Sequence, residues 1–551
     1  MSNSNPKKDR RTISRREFIR SSVVGGAAVA VAACAPAAPG GGSTGATSSD
    51  ESMASDGPMQ GGTLVWMGHQ EVSGLGPNDA GPTVHWAMIL NIHNSLVLLD
   101  ENIVFQTILA DSYEVSDDGL TYTFALREGV KFHDDKEFTS ADVKYTYDFY
   151  RQEGNTIAGS FLGVDSVDTP DDYTVVVNMS QVNAASISNW ASTFIVQGEY
   201  HAEVGEDVYR TAPIGTGAFK LKEWRAAEFT ELEAFDDHFR GRPNIDILRQ
   251  DVVPEPSVRY LALTTGDADS AVWPLLVEDS LELDAGDDFT VFRTLANSIK
   301  HFPLNNSIPQ LAEKEVRQAM MHALDRQRII DDLWNGAAQI SHSNLGPKNA
   351  AYHKTDTKQY DFDPEKAKAM LDEAGWAEGS DGIREKDGVQ LSFTCTTITG
   401  DQARRPIAEL AQQFLADVGI DMQLAEAPVA AILEGMRGGT MDASLFNWTY
   451  GTTPEPDPFS TLHPDGGNNF CQYDNPRMTE LIETGTTFVS EDERRPIYHE
   501  IQDIFVEEVP ALYLQFDEWM NPWSSRVKGL PESPLGGDRL WIKAHEIWLE
   551  G

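Results

Sequence analysis

Apolar and polar residues follow two distinct periods along this chain. At Leu120, Tyr122, Phe124 and Leu126 the apolar side chains alternate with Thr121, Thr123 and Ala125, the period of a half-buried strand. Asp118-Gly119 just before them is a hairpin signal, because glycine tolerates the positive φ of a tight turn. Downstream, Thr139 or Ser140 is placed to cap a helix beginning near Ala141. Gly61-Gly62 followed by the apolar run 63–67 predicts a first strand. Elsewhere the spacing turns helical. Apolar residues at 316, 319, 320, 323, 324, 330 and 333 predict a helix over 316–333 packed on one side. Asp363-Pro364 reads as N-cap and first helical position of a helix stopped by Gly375. Ile407, Leu410, Ala411, Phe414, Leu415 and Val418 repeat the stripe until Gly419, after which a strand is expected, and 509–514 reads as another short apolar strand.

The first sixty residues fit neither period. Residues 23–33 are apolar with no polar face, and too short to cross a bilayer, which takes about 20 residues. Before them, Ser14-Arg15-Arg16-Glu17-Phe18-Ile19-Arg20 resembles the twin-arginine export signature, with Arg15 and Arg16 as its pair. The run closes on Val31-Ala32-Ala33-Cys34, similar to a lipobox whose Cys34 thiol takes the lipid. Residues 35–60 are rich in Gly, Ser, Ala, Pro and Thr, and no core can be built from them. The expected organisation is a signal peptide over 1–33, a lipidated tether over 34–60, and a soluble body from 61. Export to the outer face of the cytoplasmic membrane or the periplasm follows, with the lipid as the sole membrane attachment.

Charge narrows the function. The 551 residues carry 86 acidic against 43 basic side chains, a formal net charge of −43. Nucleic acid and anionic lipid surfaces are poor partners for such a body, since both need Lys and Arg. Of three cysteines, Cys395 and Cys471 remain after Cys34, and either two buried thiols or one bridge is compatible with the sequence. The body from residue 61 contains no G-x-S-x-G elbow, P-loop or H-E-x-x-H, so no enzyme class has positive support. His85 and His93 stand eight apart with no third ligand at metal spacing, and no metal or other cofactor is expected.

The run Leu126-Arg127-Glu128-Gly129-Val130-Lys131-Phe132-His133-Asp134-Asp135-Lys136-Glu137-Phe138-Thr139-Ser140-Ala141-Asp142-Val143 resembles the signature of family 5 extracellular solute-binding proteins. Further segments agree in order: Pro213-Ile214-Gly215-Thr216-Gly217-Ala218-Phe219, Arg240-Gly241-Arg242-Pro243, Gly266-Asp267-Ala268-Asp269, Val316 through Arg326, and Asp363 through Trp376. The resemblance implies an α/β, two-lobed periplasmic-binding-protein-like fold (class II, large cluster) with mixed sheets, an extra subdomain in lobe one and crossover strands as the hinge. Lobe one would span 61–300 with an inserted subdomain about 105–210, lobe two 301–514, and 515–551 would return to lobe one. Crossings are expected near 298–305 and 512–517. The implied role is that of a monomeric solute receptor delivering a peptide-like or oligosaccharide-like solute to ABC permease subunits and their ATPase. A surface sensor would use the same fold, and a surface glycosidase is a remote alternative.

By the same resemblance the pocket is lined by Asn447, Trp448, Thr449, Tyr450 and Gly451, with Asp457 in the following loop. Trp66, His93, Asn94 and Asn305 are further candidates, beside His85, Trp86, Trp273 and Trp523. One departure matters. Peptide binders of the family carry an aspartate three residues after that tryptophan, pairing with the peptide's ammonium; here Gly451 stands there, which turns the expectation toward neutral solutes unless Glu455 or Asp457 substitutes.

Overall fold

The computed structural model describes residues 57–72, 74–78, 83–100, 104–155, 157–272, 275–401, 403–449, 455–456, 458–488, 490–531 and 543–550. Arg15, Arg16 and Cys34 lie outside the described residues, as do Trp273, Tyr450, Gly451 and Asp457.

A nine-stranded sheet organises the chain, in the order Phe446–Thr449, Phe289–Pro303, Ala511–Ser524, Ser270–Val272, Thr63–Gly68, Ile247–Val252, Phe229–Ala234, Phe219–Arg225. Ala338–Ile340 adds to Ala511–Ser524 off this path. The predicted first strand is Thr63–Gly68, flanked on both edges by parallel partners. Parallel strands are covered on both faces, and accordingly Leu64, Trp66 and Met67 are all buried.

Phe289–Pro303 and Ala511–Ser524 run antiparallel along nearly their whole lengths. The register shifts between Leu295 and Ile299, so three residues of one strand face Asp517 of the other. A bulge of this kind bends a strand and re-aims its side chains. The return strand is longer than the apolar run predicted and starts later, because Val509 (φ 46) is left-handed and ends the helix Glu491–Glu508.

The alternating segment forms its hairpin as expected. Ala110–Val115 and Thr121–Leu126 pair across Gly119 (φ 69), and they join Thr174–Met179 and Val164–Asp171 in a four-stranded antiparallel sheet. The helix Ser140–Tyr150 covers it, with Asp142 accepting from the Thr139 backbone N–H at 3.0 Å. Phe124, Tyr147, Val175, Val177 and Trp190 fill the space between. A parallel sheet of Asp421–Ala427, Ser392–Ile398 and Ala443–Ser444 is spanned by the helix Arg405–Ala416, whose Ile407, Ala411 and Leu415 are buried.

The helix expected over 316–333 is two helices, Lys314–Ala323 and Arg326–Trp334. Leu324 is extended and Asp325 caps the second, its carboxylate accepting from Arg328 N–H at 3.0 Å. The buried arginines explain the break. Arg317 donates to the carbonyls of Leu311, Ala312, Glu508 and Val509, satisfying two helix ends at once. Arg326 turns instead to Ser341, Tyr360 and Tyr513 carbonyls, which a continuous helix would point it away from.

Candidate functional site

Three side chains stand in a row where the two long strands cross the register shift. Lys300 is directly opposite Asn447 on one neighbouring strand and Gln515 on the other, so all three share one face of the sheet. Asp517, two residues along from Gln515, is on that face too. Its carboxylate lies 2.8 Å from Lys300 Nζ and accepts from Gln515 Nε2 at 2.8 Å; Asn447 Nδ2 approaches at 3.5 Å. Lys300 and Asp517 are both buried, at 5% and 9% side-chain exposure, and the Trp334 ring sits 4.5 Å from the ammonium. The carbonyl oxygens of Asn447 and Gln515 find no hydrogen-bond partner among the described residues.

The opposite face of the same strands is apolar. Ile299 stands between Trp448 and Phe516, and Trp448, half-buried, meets Phe470 edge-on at 5.6 Å. Thr449 continues the strand opposite Ser298. Of the residues singled out in the sequence, Asn447 and Trp448 thus reach the crossing. Lys300, Gln515, Asp517 and Trp334 were not singled out. The available signal was a cation and an anion set inside two apolar strand sequences, Ser298–Pro303 in one and 511–517 in the other.

The remaining described candidates are placed elsewhere. Trp66 is fully buried in the core with Leu64, Phe219 and Trp523, which makes it packing, not wall. Asn305 is a brace: its amide donates to Gly439 and Met441 carbonyls at 3.0 and 3.1 Å, and its oxygen accepts from Ser307. His93 and Asn94 sit beneath the Pro213–Gly217 turn, at the C-terminus of the helix Thr83–Ile92. Gly217 N–H donates to Ile92 O at 2.9 Å, and Thr216 Oγ1 to Asn94 Oδ1 at 3.1 Å. His133 pins the turn from the far side, accepting from Gly215 N–H at 3.3 Å and donating through Nε2 to Gly217 O at 3.0 Å. The approach is so close that a Cβ on Gly215 would fall 1.9 Å from Ile92 O, and one on Gly217 2.2 Å from Asn91 O. Burial holds His133 down to about 4 and His93 down to about 3, with neighbouring His133 adding to the effect on His93. His85, equally buried, is held at about 4 by the same cause. Trp86 tilts against Phe194 at 5.8 Å.

Glu455, named above as a possible replacement for the amine anchor, already has partners within the protein. It is buried, accepting from Tyr498 at 2.5 Å, from Tyr352 at 2.8 Å and from Arg494 at 3.1 Å. Burial raises its carboxyl above the ordinary value, and the guanidinium and hydroxyls oppose that rise. Arg494 also bears electrostatically on Tyr122 of the four-stranded sheet. Nearby, Ala184 N–H donates to Thr486 O at 3.0 Å, so the 105–210 segment touches the end of the helix Pro476–Gly485. Cys395 and Cys471 are buried and unpaired. Among the described residues no cluster of His, Cys, Asp or Glu is placed to hold a metal ion. Nor is any described helix long and apolar enough to cross a membrane.

Residues 105–470 match the model of the bacterial extracellular solute-binding proteins, family 5 Middle. The chain belongs to this family. Among family 5 relatives, the oligopeptide-binding protein AppA of Bacillus subtilis is 29% identical over 492 residues, covering 86% of this chain and 89% of the relative. Heme-binding protein A of Haemophilus influenzae is 27% identical over 79% of this chain and 83% of its own length. The dipeptide-binding protein of Escherichia coli is 28% identical over 78% and 84%. The solved structure of Bacillus subtilis AppA in complex with a nonapeptide superposes with a TM-score of 0.78 at 27% identity, covering 90% of this chain and all of that one. This family 5 chain therefore has the two-lobed periplasmic-binding-protein fold, and its role is solute binding.

Proposed function

We propose that the protein is the extracytoplasmic solute receptor of an ABC importer, exported through its paired arginines and held at the membrane by lipid on Cys34. It traps a peptide-like or oligosaccharide-like solute between its lobes and hands it to permease subunits, whose ATPase supplies the energy. It acts as a monomer, and no bond in the solute is made or broken. The lobes are assigned to 61–300 with 515–551 and to 301–514, the insert to about 105–210. The relatives' peptide, dipeptide and heme ligands speak for a cleft binder whose specificity varies within one fold. The observation that carries the reading is the polar row at the strand crossing, where two side-chain carbonyls are left without a partner among the described residues. Polar groups so placed orient ligands in clefts.

A thermal-shift screen of the purified chain against oligopeptides, oligosaccharides and heme tests this. A solute at 100 times its Kd stabilises the fold by about 2.7 kcal/mol, and a chain that responds to no solute class refutes the receptor reading. Cys34→Ala is expected to release the protein from the membrane fraction, and full retention would refute the anchor.

A further inference from the structure

We infer that Asn447 and Gln515 form a recognition pair for uncharged hydrogen-bond donors, a peptide N–H or a sugar O–H, and not for an ammonium group. The inference rests on the solute-receptor reading and narrows its ligand chemistry.

The orientation of both amides is dictated by Asp517. A carboxylate only accepts, so the amide nitrogens must face it. Gln515 does so at 2.8 Å and Asn447 at 3.5 Å. Each amide then turns its carbonyl oxygen the other way, and neither oxygen has a partner among the described residues. Gln515 is fully buried, so its oxygen is shielded from bulk water as well. A buried acceptor left unmatched is unfavourable, and a donor on the solute would relieve it.

Charge decides which donor. Asp517 is 2.8 Å from Lys300 Nζ, so the carboxylate of this row already has its counter-ion. Of the two replacements considered for the amine anchor, Glu455 is engaged by Arg494, Tyr352 and Tyr498, and Asp457 lies outside the described residues. An ammonium brought out of water needs a matched anion. The row offers two neutral acceptors beside a closed ion pair, which suits amide and hydroxyl groups.

Isothermal titration of the full chain tests this with four probes: trialanine with its free ammonium, N-acetyl-trialanine, maltotriose and cellotriose. The expectation is that at least one uncharged-end probe binds, and that N-acetyl-trialanine binds no more weakly than trialanine. Binding of the acetylated peptide identifies amide N–H as the source of the donors; binding of a trisaccharide identifies hydroxyls. Gln515→Met is expected to weaken the binding probe by about tenfold. Gln515→Glu is expected to shift the free-to-acetylated preference about tenfold toward the free ammonium, a change that mere loss of folding does not produce. Trialanine binding tenfold tighter than its acetylated form overturns the inference while leaving a solute receptor in place. Failure of every uncharged probe overturns it too, and if trialanine also fails, the peptide and oligosaccharide reading falls with it.

Discussion

Removing one member of the Lys300–Asp517 pair is the sharpest test of how the crossing is held. The two charges sit 2.8 Å apart at 5% and 9% exposure. At an effective dielectric constant of about 20 their attraction is about 6 kcal/mol. Desolvation costs several kcal/mol per ion and offsets most of it, so the pair's net worth is small. Breaking it is another matter. Lys300→Met leaves Asp517 charged among amides, and Asp517→Asn leaves Lys300 with Trp334 alone, each expected to cost about 3–5 kcal/mol. A body of about 490 residues unfolding as one unit has an unfolding entropy near 1 kcal/mol/K, so each variant should melt about 3–5 °C lower. The double variant has no orphaned charge and should cost about 2 kcal/mol or more less than the sum of the singles. Differential scanning calorimetry and urea titration at pH 7 provide the cycle. Single variants within about 1 kcal/mol of the parent, or strict additivity, would refute the picture of a desolvated, mutually dependent pair.

Gly215→Ala forces a Cβ to within 1.9 Å of the Ile92 carbonyl, backbone against backbone, whereas Gly159→Ala meets nothing within 4 Å. The first is expected to cost about 3 kcal/mol and the second under about 0.5 in urea unfolding, and equal costs would contradict the close approach. Acid should weaken the fold through His93, whose folded value of about 3 lies below its ordinary 6.5. The unfolded chain then binds the extra proton between those values. Stability is full above about pH 6.5 and falls on acidification toward pH 3, by up to about 5 kcal/mol for this group. His93→Leu should flatten the urea-midpoint profile between pH 7 and 4, and an unchanged slope would rule the mechanism out. Burial pushes the Cys395 and Cys471 thiols up to about 12, so in the folded protein neither should react with a disulfide reagent at pH 7 until denaturant is added.

What could be read from the sequence was local. The hairpin at Asp118-Gly119 and the helix capped at Asp363 are specified within a few residues, by turn chemistry and by caps, and both form as read. The break at Leu324 was hidden because the carbonyls that claim Arg326 lie up to 187 residues away. The crossing shows the same division. Resemblance pointed to Asn447 and Trp448, but the row exists only once the register aligns Lys300 with Gln515 across the bulge. No periodicity encodes that alignment. His93 and Asn94 were singled out as polar residues, and the glycine turn that bears on them comes more than a hundred positions later.

The first strand and the last residues of the described chain meet. Leu549 lies 3.1 Å from where a Cβ on Gly62 would be, Asn244 donates to Glu546 O at 3.1 Å, and Trp548–Leu549 pairs with Val527–Lys528. Ile547 and Leu549 share one core with Leu64 and Trp66. A ribosome delivering residues at about 5–20 per second would hold this half of the molecule unfinished for tens of seconds, its parallel first strand waiting on partners. Such long-range closure makes assembly slow and post-synthetic.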